Sequence, residues 1–318
     1  MRVPVLVSLL SLLGGACSRP VPPQPQAAIG KPPRPPLNCL LFAGDVMLSR
    51  GVRRAILAAH DPALPFRRIA PLLASADVAF INLESPFSDH APYHEEGLIF
   101  HAPPESIAGL MLAGVDLVST ANNHSRDCAS HGVEYTVRWL QSHGISPLGS
   151  SDSMAETHRG VVLVRRGVRF GFLGYTFDQK NGNWPDMDNR IATTDRRTMQ
   201  SDVASLKKRC DVVIVSMHSG VEYAHRPNQD QIQFAHAAID AGATLVVGHH
   251  PHVVQPMEFY KNGVIYYSLG NFVFDQFQRM DTQHGEIAEV YFLGPYLSAA
   301  QALPVKITSK GPELESGP

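Results

Sequence analysis

Leu245-Val246-Val247-Gly248-His249-His250-Pro251-His252 is an apolar run that ends in three imidazoles within four residues. The run reads as a buried strand. Three histidines directly after it cost hydration and contribute little packing, so a role outside the core is needed to account for them. Working outward, five other apolar runs also end in Asp, Glu, Asn or His. Leu40 to Gly44 leads into Asp45, Val78 to Ile81 into Asn82-Leu83-Glu84, and Val115 to Ala121 into Asn122-Asn123-His124. Val212 to Met217 leads into His218, and Val264 to Gly270 into Asn271.

Short β-rich runs at 39–43, 78–81, 115–119, 161–164, 170–174, 212–215, 244–247, 264–268 and 287–292 alternate with helix-like stretches at 50–59, 105–113, 133–143, 197–207 and 228–241. The alternation predicts an α/β layered fold. In open α/β sheets ligands collect at the carboxyl ends of strands, so the residues after these runs are expected on one rim although they span more than 200 positions. Asp, Glu, Asn and His are side chains that bind divalent metals.

The chain has 318 residues, 44% of them hydrophobic and 18% charged, which is enough for a full core. With 27 Lys and Arg against 29 Asp and Glu, no basic field exists to hold nucleic acid, and no nucleic-acid partner is expected. Residues 1–16 carry Arg2, the apolar run Val3 to Leu13 and the small residues Gly14, Gly15 and Ala16, and read as an export signal too short to span a bilayer. Cys17 then resembles the acylated cysteine of a lipoprotein, a lipid anchor to the membrane; the alternative is an ordinary signal cleaved near Ala16. Residues 17–38 form a Pro-rich tether, 39–311 the packed domain and 312–318 a polar tail. Cys39, Cys128 and Cys210 are too widely spaced for a metal knuckle, though one bridge is compatible with them.

Each candidate has a plainer alternative. Asp45 suits a helix N-cap, Glu84 a first-turn acid or loop charge, Asn122 and Asn123 a turn, and His218 a satisfied histidine at a strand end. Taken jointly, a metal cluster explains why five of the fifteen histidines (124, 218, 249, 250 and 252) fall at strand ends. Capping and packing do not.

The blocks Phe42-Ala43-Gly44-Asp45-Val46-Met47-Leu48, Asn82-Leu83-Glu84, Ala121-Asn122-Asn123-His124-Ser125-Arg126-Asp127, His218-Ser219-Gly220-Val221-Glu222-Tyr223, Gly248-His249-His250-Pro251-His252-Val253 and Ser268-Leu269-Gly270-Asn271-Phe272 resemble the CapA family. That family is associated with poly-γ-glutamate capsule synthesis and belongs to the calcineurin-like metallophosphoesterases. The resemblance implies a four-layer α/β/β/α sandwich with two central mixed sheets and one or two divalent ions at one rim, with Mn, Zn, Mg and Fe equally compatible. It implies Asp45 and His252 on a first metal, Glu84 bridging, and Asn123, His218 and His250 on a second. His124 would be the general acid and Asp127 would orient it or cap the next helix.

Three positions depart from the pattern. Met47 stands where the superfamily has a metal-binding His and is a poor partner for a hard or borderline ion. Ser219 stands where Trp is common, and Ala129 where Gly is common. The resemblance implies an exported metal-dependent hydrolase acting on poly-γ-glutamate or another envelope polymer or phosphoester, with the capsule-synthesis machinery as partner. A noncatalytic assembly or export factor and a periplasmic phosphatase are the alternatives. The stretch 176–197, with Trp184, is a candidate substrate loop or a surface excursion. Arg126 could meet a substrate anion or be a solvated helix-start residue.

Overall fold

The computed structural model describes residues 35–90, 93, 96–177 and 190–315, so the expected signal, Cys17 and most of the expected tether lie outside the described residues. The chain from residue 35 onward is one compact unit. Its first half runs β1 (Leu37–Val46), α1 (Arg50–Ala59), α2 (Ala70–Leu73), β2 (Val78–Leu83), α3 (Ile107–Leu112), β3 (Leu117–Ser119), α4 (Ala129–Ser142), β4 (Ser146–Leu148), α5 (Met154–Arg159), β5 (Val161–Arg165) and β6 (Val168–Thr176). It continues through α6 (Arg196–Lys207), β7 (Val212–His218), α7 (Gln229–Ala241), β8 (Leu245–His249), β9 (Val254–Tyr260), β10 (Gly263–Leu269), β11 (Asn271–Val273), β12 (His284–Leu293), β13 (Tyr296–Thr308) and β14 (Gly311–Leu314).

Two mixed sheets result. The first has the order β14-β13-β12-β1-β2-β3-β4 with β11 paired to β1, and the second has the order β5-β6-β7-β8-β10-β9. Side chains one apart on a strand point to opposite faces, and the buried clusters divide by that parity. Leu40, Phe42, Val78, Phe80 and Leu117 of the first sheet meet Phe170, Phe172, Val212, Ile214, Leu245, Val247 and Tyr266 of the second. The opposite face of the first sheet, with Leu41, Ala79, Ile81 and Val118, packs on Val52 and Ile56 of α1, Leu110 of α3 and Leu140 of α4. The opposite face of the second, with Val213, Val215, Val246 and Ile265, packs on Val203 and Leu206 of α6 and Phe234 and Ala238 of α7. The order is therefore helix, sheet, sheet, helix, as the resemblance implied.

Helix boundaries follow local chemistry. Asn228 and Gln231 satisfy each other's orphan amides in a capping box at the start of α7, and Gly242 in the left-handed region closes it. Asp195 caps α6 through the Thr198 amide at 2.7 Å. The runs at 39–43, 78–81, 161–164, 170–174, 212–215, 264–268 and 287–292 lie wholly inside observed strands, and those at 115–119 and 244–247 begin one or two residues ahead of theirs.

Two boundaries differ from expectation. Leu37 and Asn38, read as tether, pair with Phe292 and Leu293 in the first two rungs of β1. Residues 312–314, read as polar tail, belong to β14, which closes one edge of the first sheet against Val305 to Thr308. A Cβ on Gly311 would lie 1.9 Å from the Pro65 carbonyl oxygen, so this strand passes against the backbone near α2. Cys39, Cys128 and Cys210 are free thiols, and burial pushes Cys128 up to about 12.

Candidate metal centre

The carboxyl ends of the central strands are in register. Asp45 pairs with Asn271 and Asn82, and Asn82 with Ser119. In the other sheet Thr176, His218 and His249 form one row. From Leu245 and Val247 the inter-sheet face of β8 continues to His249, and from Val212 and Ile214 that of β7 continues to His218. Strict alternation from Phe42 would put Gly44 on this face and Asp45 on the helix side. A bulge prevents that. Between Phe42 and Asp45 strand β1 advances three residues while β2 advances two, from Phe80 to Asn82. The extra residue returns Asp45 to the inter-sheet face.

Asn82 Nδ2 donates to Asp45 Oδ1 at 2.8 Å and lies 3.2 Å from His218 Nδ1, joining the two sheets at the rim. The His250 amide reaches Asp45 Oδ2 at 3.3 Å, so Asp45 does not cap a helix; the residue before α1 is Ser49. His252 Nδ1 lies 3.4 Å from Asp45 Oδ2 and 3.0 Å from Asn271 Oδ1, while the Asn271 amide is held by Gln276 and the Thr282 carbonyl. His218 Nε2 is 2.7 Å from Asn123 Oδ1. His250 and His252 adopt φ of +100° and +59°. Non-glycine residues held there cost about 1–3 kcal/mol each, and such strain clusters at functional sites.

Glu84 is fully buried, and neither of its carboxylate oxygens has a hydrogen-bond partner. Its Oε1 lies 3.8 Å from His252 Nε2, 3.9 Å from His124 Nε2 and 4.0 Å from His218 Nε2. These separations are too long for hydrogen bonds. Burial, then the charge of Asp45, with Glu222 and Asp127 adding to it, pushes the Glu84 carboxyl well above its usual range. Burial also opposes ionisation of Asp45, but the hydrogen bond and charge of His252, with His249 and Asn82, hold its carboxyl below the usual value. Burial, followed by the charges of His250, His249, His252 and His124, drives His218 well below the ordinary imidazole value. Burial and His252 lower His250 to about 3, and burial lowers His249 against the pull of Asp45.

The donor set fits a divalent cation. Ligand atoms of Asp45, Glu84 and His252 lie within 4.8 Å of one another, as do those of Glu84, His218 and His250. Histidines kept neutral by burial keep a lone pair for a metal. The orphaned Glu84 oxygens, shared by both triads, are the groups a cation would satisfy.

His124 and Asp127 stand beside this cluster. His124 Nδ1 is 2.7 Å from Asp127 Oδ2, and the same oxygen accepts the Phe100 amide at 2.6 Å. The Phe100 ring stacks on His124 at 3.9 Å, and the Arg50 guanidinium lies over Phe100 at 4.7 Å. Asn122 serves as a turn residue through the His124 amide (3.1 Å) and also donates to the Leu83 carbonyl (2.8 Å).

The rim also relies on Asn82, Phe100 and Asn271, for which no role follows from the sequence. Asn82 and Asn271 were visible at strand ends, whereas Phe100 has no local signal. Arg126, read as substrate-facing or solvated, is only 1% exposed, which rules out the solvated reading. The Met47 side chain belongs to the apolar cluster between the first sheet and its helices, with its sulfur 3.1 Å from the Ser49 amide. Ala129 takes φ of +54°, which suits the Gly common at that position. Of the candidate loop 176–197, Phe177 packs on His250 at 4.7 Å, while Trp184 lies outside the described residues.

A two-sheet sandwich flanked by helices, with Asp, Glu, Asn and His gathered at the carboxyl rim, is a metallophosphoesterase-type architecture. A solved phosphatase structure from Mycoplasma pneumoniae shares this fold with a TM-score of 0.55 over 86% of this chain and 94% of that chain, at 13% identity. The family described as "Bacterial capsule synthesis protein PGA_cap" matches residues 39–276, and the chain belongs to it. The "Capsule biosynthesis protein CapA" of Bacillus anthracis is 32% identical over 253 residues, covering 74% of this chain and 60% of that protein. The "PGA biosynthesis protein CapA" of Bacillus subtilis strain 168 is 31% identical over 240 residues, 74% of this chain and 63% of its own length. The matched region thus covers less than two thirds of those relatives.

Proposed function

We propose that the protein is an exported metal-dependent hydrolase of the capsule-synthesis type, acting on poly-γ-glutamate or another envelope polymer or phosphoester. The names of its relatives support the capsule setting. The observation that carries the hydrolase reading is Glu84, a buried carboxylate without hydrogen bonds, with three imidazole nitrogens about 4 Å from one oxygen. Asp45 and His252 would hold a first cation and Asn123, His218 and His250 a second, with the Glu84 carboxylate within reach of both. The chemistry such a cation would supply when bound is polarisation of a phosphoryl or carbonyl oxygen and a water nucleophile near neutral pH.

The chain's own residues supply the remainder. His124 turns Nε2 toward the centre and Nδ1 toward Asp127, so Asp127 stabilises the imidazolium and Nε2–H protonates the leaving group. Phe100 fixes the ring plane from behind. In this reading residues 1–16 direct export, Cys17 carries a lipid anchor where the protein is membrane-attached, and the capsule-synthesis machinery is its partner.

The test is hydrolysis of aryl and alkyl phosphoesters, and of poly-γ-glutamate, by the purified chain with and without added Mn²⁺ or Zn²⁺. His124→Ala should lower kcat about 10²–10⁴-fold for an alkyl ester and much less for a nitrophenyl ester, whose leaving group needs no proton. Equal losses on both, or turnover that survives a chelator and His250→Ala, would count against the reading. Met47 in the core favours a second reading, a noncatalytic assembly factor that keeps the metal. Metal binding with no turnover across that ester and polymer panel would establish it.

A further inference from the structure

Asp89, His90 and His131 form a second group of metal-ligating side chains that shares no residue with the centre above. Asp89 and His90 lie on the segment leaving β2, and His131 is in the first turn of α4. Asp89 Oδ1 is 3.1 Å from His131 Nε2 and 3.7 Å from His90 Nε2. The two imidazole rings stack at 4.1 Å with their planes 4° apart. Side-chain exposure is 51% for Asp89, 68% for His90 and 45% for His131, so an ion and completing waters can reach all three.

Donors about 2.0–2.2 Å from a tetrahedral ion lie about 3.3–3.6 Å apart. The two observed separations bracket that spacing, and exposed side chains adjust by a few tenths of an ångström at little cost. A simple surface ion pair is worth about 0–1 kcal/mol and needs one histidine. It gives no reason for a second imidazole nitrogen within 3.7 Å of the same carboxylate oxygen. Because the two ring planes are parallel, their in-plane lone pairs run side by side, and sharing an ion requires one of these exposed rings to turn about its χ2.

We propose that Asp89, His90 and His131 form a surface site for a borderline divalent cation such as Zn²⁺. Two imidazole nitrogens and one carboxylate oxygen suit Zn²⁺, Ni²⁺ or Cu²⁺, whereas Mg²⁺ prefers an all-oxygen shell. The site ties the segment after Glu84 to the helix after His124 and Asp127. It stands whether or not the rim centre is hydrolytic.

The experiment uses the untagged full chain, stripped with chelator and titrated with Zn²⁺. His131→Gln and Asp89→Asn should each remove one equivalent of bound Zn²⁺, or weaken it at least tenfold, while their melting temperatures in chelator stay at the parent value. Independently of any variant, Zn²⁺ should slow diethyl pyrocarbonate modification of His90 and His131 at least tenfold, read by peptide mass, and Mg²⁺ should not. His225, 62% exposed and outside the cluster, is the internal control. Unchanged Zn²⁺ equivalents in both variants, or His90 and His131 modified as fast with Zn²⁺ as without, would overturn the site.

Discussion

Glu84 concentrates the electrostatic cost of the rim, and its effect on stability has a defined sign. Its folded-state pKa is raised, so without metal the folded state binds a proton that the unfolded state releases above the ordinary carboxyl range. That contribution is present below the unfolded value and is lost as pH rises toward the folded one. His250 and His218 act oppositely. Their folded values are depressed, so their contribution to stability is lost as pH falls below about 6.5. Between about pH 4.5 and 6.5 the two slopes oppose each other. In chelator, Glu84→Gln should therefore be more stable than the parent near pH 7, with stability rising more steeply with pH across that window. With saturating divalent metal the order should reverse, because the parent then gains ligand-linked stability. Urea denaturation at several pH values, with and without metal, checks both halves.

At the level of elements, the bulge in β1 decides where Asp45 points. Gly44 sits inside it, and a Cβ there would lie 2.0 Å from the Gly270 carbonyl oxygen. Backbone meets backbone at this point, so nothing flexible can yield. Gly44→Ala should cost about 3 kcal/mol in urea denaturation and also weaken metal binding, because relief of the clash moves Asp45. A loss of stability with unchanged metal affinity would show that the bulge does not aim the carboxylate. The strands that escaped the sequence reading share a cause. β9 and β13 are mostly half-buried or exposed, and β4 and β11 are three residues long. None presents the apolar run by which a buried strand is recognised.

For the whole molecule, β14 is the element whose place only the fold reveals. Its sequence, Gly-Pro-Glu-Leu, looks like the start of a tail, yet it pairs with β13 and lies against Pro65. Ending the chain after Lys310 should lower Tm by about 3–6 °C, on the scale of 2–4 °C per kcal/mol for a domain of this size. A true tail would leave Tm unchanged. The sequence by itself determined the α/β class, the central strands and the residue types waiting at their ends, because buried strands and helix caps leave local signals. Histidine after an apolar run is conspicuous because of its hydration, whereas the division of the rim residues into two metal sets came only from the family resemblance. The tertiary structure alone decided which face those side chains take. A strand buried on both sides has no polar alternation to show its orientation, and a one-residue bulge is silent in the sequence. It likewise decided that Phe100 backs His124 and that Asn82 links the sheets, because those contacts join segments whose distance along the chain carries no trace of their proximity in space.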